Sequence, residues 1–406
     1  MGAGVTRERG IALLDRAAEI GLLHAHAIGG GCYGIHPALP WYFRALFARH
    51  FTEEGGDARG AQGAFVETMG DFGTVHYDLC LRGHVQILSL IAAEEDNLLT
   101  ALRLGRAHGW WYPVMGIMQG LRILYLETAR RLAWRQLVSD LVPDFIDPAS
   151  DEPLVGREHY WSLVTEYRVR LAVEERNWVE GERLQRLCVD WHRQRANVAS
   201  GGSDKSRHHA IRGLPISLQS LGDIQREQGD PTCATTFREA LDLATANGDA
   251  AVQANCAFQL GNVFIGLAEL RNLDEAERWY RMCHDLVIPD SRFVRGRCVG
   301  NLGSIALERF RDARTAKRPA EELASHLAEA ARLYKQALDV LPATAVSEHG
   351  IVHSALGIIY NDAGDIDRAH HHYRQSIQCA DKTGDIFHAG QSRYEFAFAL
   401  ACKSHD

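Results

Sequence analysis
Apolar positions along the second half of the chain return every three to four residues, in stretches separated by short polar breaks. That is the period of helices carrying one buried stripe. Within those stretches one local arrangement recurs. Leu356-Gly357 is followed by Tyr360, Gly364, Ala369 and Tyr373. Leu302-Gly303 leads to Ala330, Tyr334, Ala337 and Pro342, and Leu260-Gly261 to Ala276, Tyr280 and Cys283. Leu221-Gly222 leads through Gly229-Asp230 to Phe237 and Ala240, one residue short of register. Each copy predicts two helices, with the glycine allowing close approach, the alanine at the crossing and the aromatic filling the gap to the next copy. The last step is the longest, stretched around 311–323, which predicts a lengthened helix or an added loop.

The spacing resembles the tetratricopeptide repeat, which implies an all-α fold: a right-handed superhelix, or α-solenoid, of stacked helix pairs. Residues 211–406 carry the clear copies and end in a capping helix over 389–402. Residues 61–200 read as degenerate helical repeats. They include a helix over 158–175, a partner over 177–191, and one or two helices over 110–136 whose aromatics read as core. The run Gly201, Gly202, Ser203, Asp204, Lys205 predicts a loop over 199–215, closed by Pro215.

Residues 1–52 differ. An amphipathic helix over 11–20 ends at Gly21, two short apolar runs flank Gly29-Gly30-Gly31, and a new helix opens after Pro37. Helix, hairpin, helix is a winged-helix order. With Leu13-Leu14, Ala17-Ala18, Gly21-Leu22-Leu23, Tyr33 and Ile35-His36-Pro37, it resembles the winged-helix segment of the STAND class of signalling NTPases. The stretch 91–102, with Glu95, Asp96, Asn97, Leu98 and Ala101-Leu102, is similar to the helix that opens the repeat sensor in bacterial members. The resemblance implies a sensor half whose NTPase or effector domain is missing or lies on a separate chain. It also implies nucleotide contact by His36. No GxxxxGK[ST] stands anywhere in the sequence, so nothing here cradles a phosphate in that manner.

Charge narrows the partners. With 44 basic and 52 acidic residues the net charge is −8, which argues against a nucleic-acid coat protein. The helix over 11–20 sets Arg16 against Asp15 and Glu19, a poor match for a phosphate-lined groove. The nine cysteines include no CxxC and read as buried thiols of a cytoplasmic protein. No apolar run is long enough to span a bilayer, so no membrane partner is expected.

Candidate chemistry is sparse. Gly29-x-Gly31-x-x-Gly34 lacks the βαβ context of a dinucleotide fingerprint and reads as a hairpin tip. His24, His26, Cys32 and His36 have no known zinc spacing, and no metal or cofactor is expected. His370-His371-His372 points three ways on a helix and reads as a solvated face. His208-His209 with Lys205, Arg207 and Arg212 forms a small basic cluster for an acidic partner or phosphate. No catalytic motif is present, so no enzyme activity is expected of the chain.

A concave wall built from the first helix of each pair is the expected partner-binding groove. Counting from the Leu-Gly marks, it comprises Gln219, Asp223 and Arg226, then Asn255, Phe258 and Asn262, then Arg297, Asn301 and Ser304, then Ser354, Ile358 and Asn361. Asn and Gln suit an extended peptide because each can meet a backbone donor and acceptor together. The paired lysines with which some such repeats clamp a terminal carboxylate have no counterpart here. The expectation is a protein- or peptide-binding sensor or scaffold. The alternatives are an accessory part of a STAND NTPase or protease effector, and a transcription regulator using the winged helix.

Overall fold
The computed structural model describes residues 6–25, 33–35, 39–51, 57–81, 87–198, 204–288 and 290–403. The described chain is an all-α solenoid apart from one short hairpin. It divides into two compact units between Tyr167 and Arg168, inside the segment 61–200.

The first unit opens with α1 (Arg7–Glu19), strands β1 (Leu23–Ala25) and β2 (Tyr33–Ile35), and α2 (Pro40–His50). The strands pair antiparallel with His24 opposite Gly34, and the Tyr33 hydroxyl donates to Asp15 at 2.7 Å. The α1 helix buries none of its residues; Ile11, Leu13 and Leu14 stand exposed. Helix, hairpin and helix thus follow one another as expected. Residues 26–32 and 36–38, including His26, Cys32 and His36, lie outside the described residues.

Next come α3 (Asp57–Leu81), α4 (Leu88–Ala93), α5 (Glu95–His108), α6 (Trp111–Glu127) and α7 (Arg131–Leu141). The single helix expected over 91–102 is broken at Glu94, whose N–H bonds back to Leu90 and Ile91 while its C=O accepts from Leu98. Ile91 and Leu98, seven residues apart on either side of the break, both reach the core at 0% exposure. Helices α3 and α6 meet backbone to backbone. A Cβ on Gly70 would stand 2.6 Å from the Cα of Pro113, and Gly73 and Gly116 leave no room for one at all. Glu95 ties α5 to α6 and to the start of α7: it takes both Nη atoms of Arg130 at 2.6 and 2.7 Å and the Tyr125 hydroxyl at 2.7 Å. These bonds, Arg130 first, hold its carboxyl below the usual carboxylate range. The aromatics expected as core divide. Trp134 and Tyr125 are buried, whereas Tyr112 is exposed.

Helix α8 (Glu158–Glu174) carries the chain into the second unit, which holds α9 (Trp178–Val198), α10 (Asp204–Gln228), α11 (Cys233–Ala246), α12 (Ala250–Gly266), α13 (Leu273–Leu286), α14 (Arg292–Thr315), α15 (Ala320–Val340), α16 (Val346–Asp362), α17 (Ile366–Thr383) and α18 (Ile386–Lys403). The loop expected over 199–215 is corrected. From Asp204 onward that stretch is helix, and Pro215 sits inside it. Proline costs a helix one hydrogen bond. Here Leu214, Leu218 and Leu221 bury against Val189 and the α11 face, and packing overrides the breaker. The side chains of the basic cluster at 205–209 are outside the described residues.

The insertion around 311–323 lengthened both helices of its pair rather than adding a loop. The last helix begins three residues ahead of its expected start. Ala240, Ala276, Ala330 and Ala369, the expected crossing residues, are all at 0% exposure. Two apolar clusters run through the stack, one from Val189 to Ile305 and one from Val299 to Tyr373.

Candidate functional site
The four Leu-Gly marks all do the same thing. A Cβ on Gly222 would lie 2.7 Å from the Phe237 ring, on Gly261 2.6 Å from Tyr280, on Gly303 2.9 Å from Tyr334 and on Gly357 2.6 Å from Tyr373. The aromatic therefore lies over the glycine of its own pair, not in the gap to the next copy as expected from sequence. Only a residue without a side chain lets the ring sit there.

In two of the four copies the residue after the glycine meets the ring's hydroxyl. Tyr280 donates its hydroxyl to Asn262 Oδ1 at 2.7 Å, and Tyr334 shares a 2.7 Å hydrogen bond with Ser304 Oγ. Asn301 also bonds the Tyr280 hydroxyl. Three expected groove residues, Asn262, Asn301 and Ser304, thus serve tyrosines inside the stack. Ser354 is buried and Ile358 packs half-buried on the apolar cluster. Neither presents a free polar face.

Asp223 occupies the same place after Gly222, but Phe237 has no hydroxyl to offer it. Its Oδ1 is buried without a hydrogen-bond partner, as is Nε of Arg226 one turn on. Burial pushes the Asp223 carboxyl up to about 6, against the pull of Arg226. Arg226 reaches Glu227 at 2.7 Å. Gln219 and Asn361 are half-buried on their helices.

The structure does bring three expected residues together. Asn255, Phe258 and Arg297 line a cleft of about 480 Å³ where the beginnings of α12 and α14 face each other. The Arg297 guanidinium lies over the Phe258 ring at 4.6 Å and near Phe293 at 5.8 Å. The rest of the wall is almost wholly apolar: Ala250, Ala251, Ala254, Leu286, Val287, Ile288 and Val294, with Ser291. Sequence reasoning missed those residues. Ala251 and Ala254 were within its reach, since they continue the stripe of Asn255, Phe258 and Asn262 toward the helix start. Leu286 ends α13 and Val287 and Ile288 follow it, and only the folded turn brings them there.

Other clusters are structural. Cys298 Sγ donates to Cys283 Sγ at 3.2 Å, both buried in the α13–α14 seam. His353 and His372 share a hydrogen bond between their Nδ1 atoms at 2.9 Å, and His372 stacks on Tyr360. Burial, with neighbouring imidazoles, pushes both histidines down to about 4. The triplet is therefore not one solvated face. His372 is half-buried, His370 sits edge-on to Phe396, and His371 alone of the three is exposed.

No protein-family model matches the sequence, and no curated protein matches it. Among solved structures the chain is similar to BtubC (BKLC) from P. vanneervenii, at 17% identity and TM-score 0.37, over 56% of this chain and 89% of that one. It is also similar to a STAND protein with a tetratricopeptide repeat sensor from Pyrococcus horikoshii, at 10% identity and TM-score 0.43. That match covers 98% of this chain, which spans 59% of the other's length. A circular tandem repeat protein matches at 15% identity and TM-score 0.23, over 90% of each chain.

Proposed function
We propose that this chain is a polypeptide-binding repeat scaffold, and that the face formed by the first helices of its pairs is where the partner lies. The cleft between α12 and α14 carries the reading. It is concave and apolar, with Asn255 and Arg297 as polar points at its edge. Binding sites combine these same ingredients: apolar walls for affinity and a few polar groups for orientation. Helices α10, α12, α14 and α16 each supply the first half of a pair, with α10 on α12 and α14 on α16. An extended segment could follow that face beyond the cleft.

The finer reading makes this scaffold the sensor of a signal-transducing regulator, with helix, hairpin and helix at 1–52 as a winged helix facing an NTPase or effector elsewhere. It rests on sequence resemblance, as does nucleotide contact by His36. A cytoplasmic location fits the described thiols, which are unbridged; Cys188, Cys233, Cys256, Cys283 and Cys298 are buried, and Cys80 and Cys379 half-buried. The DNA-binding alternative predicts salt-sensitive binding to a duplex, and the net charge of −8 counts against it.

The test is selection of peptides from a displayed random library, followed by titration against Ala251→Trp. Ala251 is exposed and lines the cleft, so the indole fills it without entering the core. Loss of the selected peptides, with the helical circular dichroism unchanged, is the expected result. Peptides that bind the variant as tightly as the parent would sink the assignment.

A further inference from the structure
Resting on the reading of the α12–α14 cleft as the binding site, we infer that its ligand is an anionic, apolar segment: a carboxylate set beside an aliphatic or aromatic side chain.

Arg297 carries the inference. It is the charged side chain among the residues lining the cleft. Most arginines on this stack are spoken for. Arg271 takes Asp312 at 3.0 Å and Glu308 at 3.1 Å, Arg309 takes Asp274 at 2.6 Å, and Arg314 takes Asp362 at 3.0 Å. Arg297 has no acidic partner among the described residues, and its recorded contacts are the faces of Phe258 and Phe293. A guanidinium held over a ring and claimed by no acid still has N–H groups to offer, and these fit a carboxylate with two parallel hydrogen bonds. The same contact fixes the fork, so little side-chain freedom is lost when an anion arrives.

The floor decides the second half of the ligand. Apolar groups from three separate stretches, Phe258 of α12, Val294 of α14 and the turn residues Val287 and Ile288, line the same cleft as the guanidinium. A bare inorganic anion would leave that surface wet. A ligand with an apolar group next to its carboxylate covers it, and exclusion of water strengthens the ion pair at the rim. This differs from capture of a chain terminus by paired lysines, since a side-chain carboxylate serves equally well.

The probe is a matched pair of small molecules, phenylpropionate and phenylpropylamine, titrated onto the full chain by ligand-observed NMR. Free propionate is the third arm. Phenylpropionate is expected to bind at least about tenfold more tightly than either of the others. Arg297→Gln is expected to erase that preference, and Arg297→Lys to keep part of it, which separates charge recognition from damage to the fold. Equal binding of the propionate and the amine would overturn the inference, as would a preference that survives Arg297→Gln. The peptides from the display selection give an independent arm. If Ala251→Trp abolishes their binding but Arg297→Gln leaves it intact and they lack acidic residues, the cleft stands as a site and the anionic assignment falls. If Ala251→Trp leaves them bound, the site itself falls, and the anionic assignment with it.

Discussion
The Tyr280 hydroxyl donates to Asn262 Oδ1 across 2.7 Å, directly above the glycine that lets the ring in. One pair earlier the ring is Phe237, and the acceptor, Asp223, has nothing to accept. A buried acceptor left unpaired costs on the order of 1–3 kcal/mol. Phe237→Tyr is therefore expected to stabilise the protein by about 1 kcal/mol and to lower the Asp223 titration below its present value near 6. Tyr280→Phe is expected to destabilise by a similar amount. Denaturant titration of both variants checks the pair, and a Phe237→Tyr variant weaker than the parent would refute the account.

Asp223 also sets a pH dependence. Its folded value, about 6, lies above the ordinary aspartate value of 3.8. The folded state thus holds the proton more tightly than the unfolded chain, and its stability contribution falls as pH rises from about 4 through about 6. Asp223→Asn should remove that falling limb and raise stability at pH 8 by more than at pH 4. Melting curves across this range would show it; equal effects at both ends would not fit.

The histidine pair slopes the other way. His353 and His372 are pushed down to about 4 from 6.5 by burial, with His349, His371, Lys335 and Arg368 adding positive charge around them. The unfolded chain takes up those protons first, so their contribution is whole above about 6.5 and is lost as pH falls toward 4. Replacing His372 with Gln should flatten acid unfolding between those values while leaving stability at pH 8 within about 1 kcal/mol. A parallel acid limb in the variant would place the acid sensitivity elsewhere.

Glycine is needed unequally in α3. Gly73→Ala drives a methyl into the backbone of α6 at Gly116 and should cost 3 kcal/mol or more, roughly, since neither helix can give way. Gly60→Ala, with nothing within 4 Å of the new methyl, should stabilise by about 0.5–1 kcal/mol through helix propensity. Thermal melts of the two single variants, expected to move in opposite directions, decide this.

The buried thiols Cys283 and Cys298, with Sγ atoms 3.2 Å apart, need only a small closure to reach the roughly 2 Å of a disulfide. Treatment with diamide, which takes up the two hydrogens as it is reduced to a hydrazine, should cross-link α13 to α14. Peptide mapping would find the bridge, and Cys298→Ala should abolish it.

The repeat was legible because glycine, alanine and aromatic are fixed by a local contact, which the order of residues records directly. The lengths of the helices were not. Pro215 read as a boundary because the sequence lists its missing N–H but not the packing of Leu214, Leu218 and Leu221 that outweighs it. The break at Glu94 was equally hidden, since Ile91 and Leu98 keep helical spacing on either side of it. For the candidate site, the first-helix stripe was visible and picked out Asn255, Phe258 and Arg297. Which polar residues on that stripe already served a tyrosine was not visible, because Asn262 and Ser304 differ from Asn255 only in what stands behind them.

The glycine-and-ring contact has a consequence for how such a chain can change. Asn262 and Tyr280 are 18 residues apart and Ser304 and Tyr334 are 30 apart, yet each pair closes at 2.7 Å. The joint is indifferent to the length of chain between its two halves. Whole helical turns can be spliced into the far end of a hairpin, as around 311–323, while the near end stays in phase with its neighbours. A lineage of this protein could therefore grow projections on one flank and leave the opposite flank unaltered.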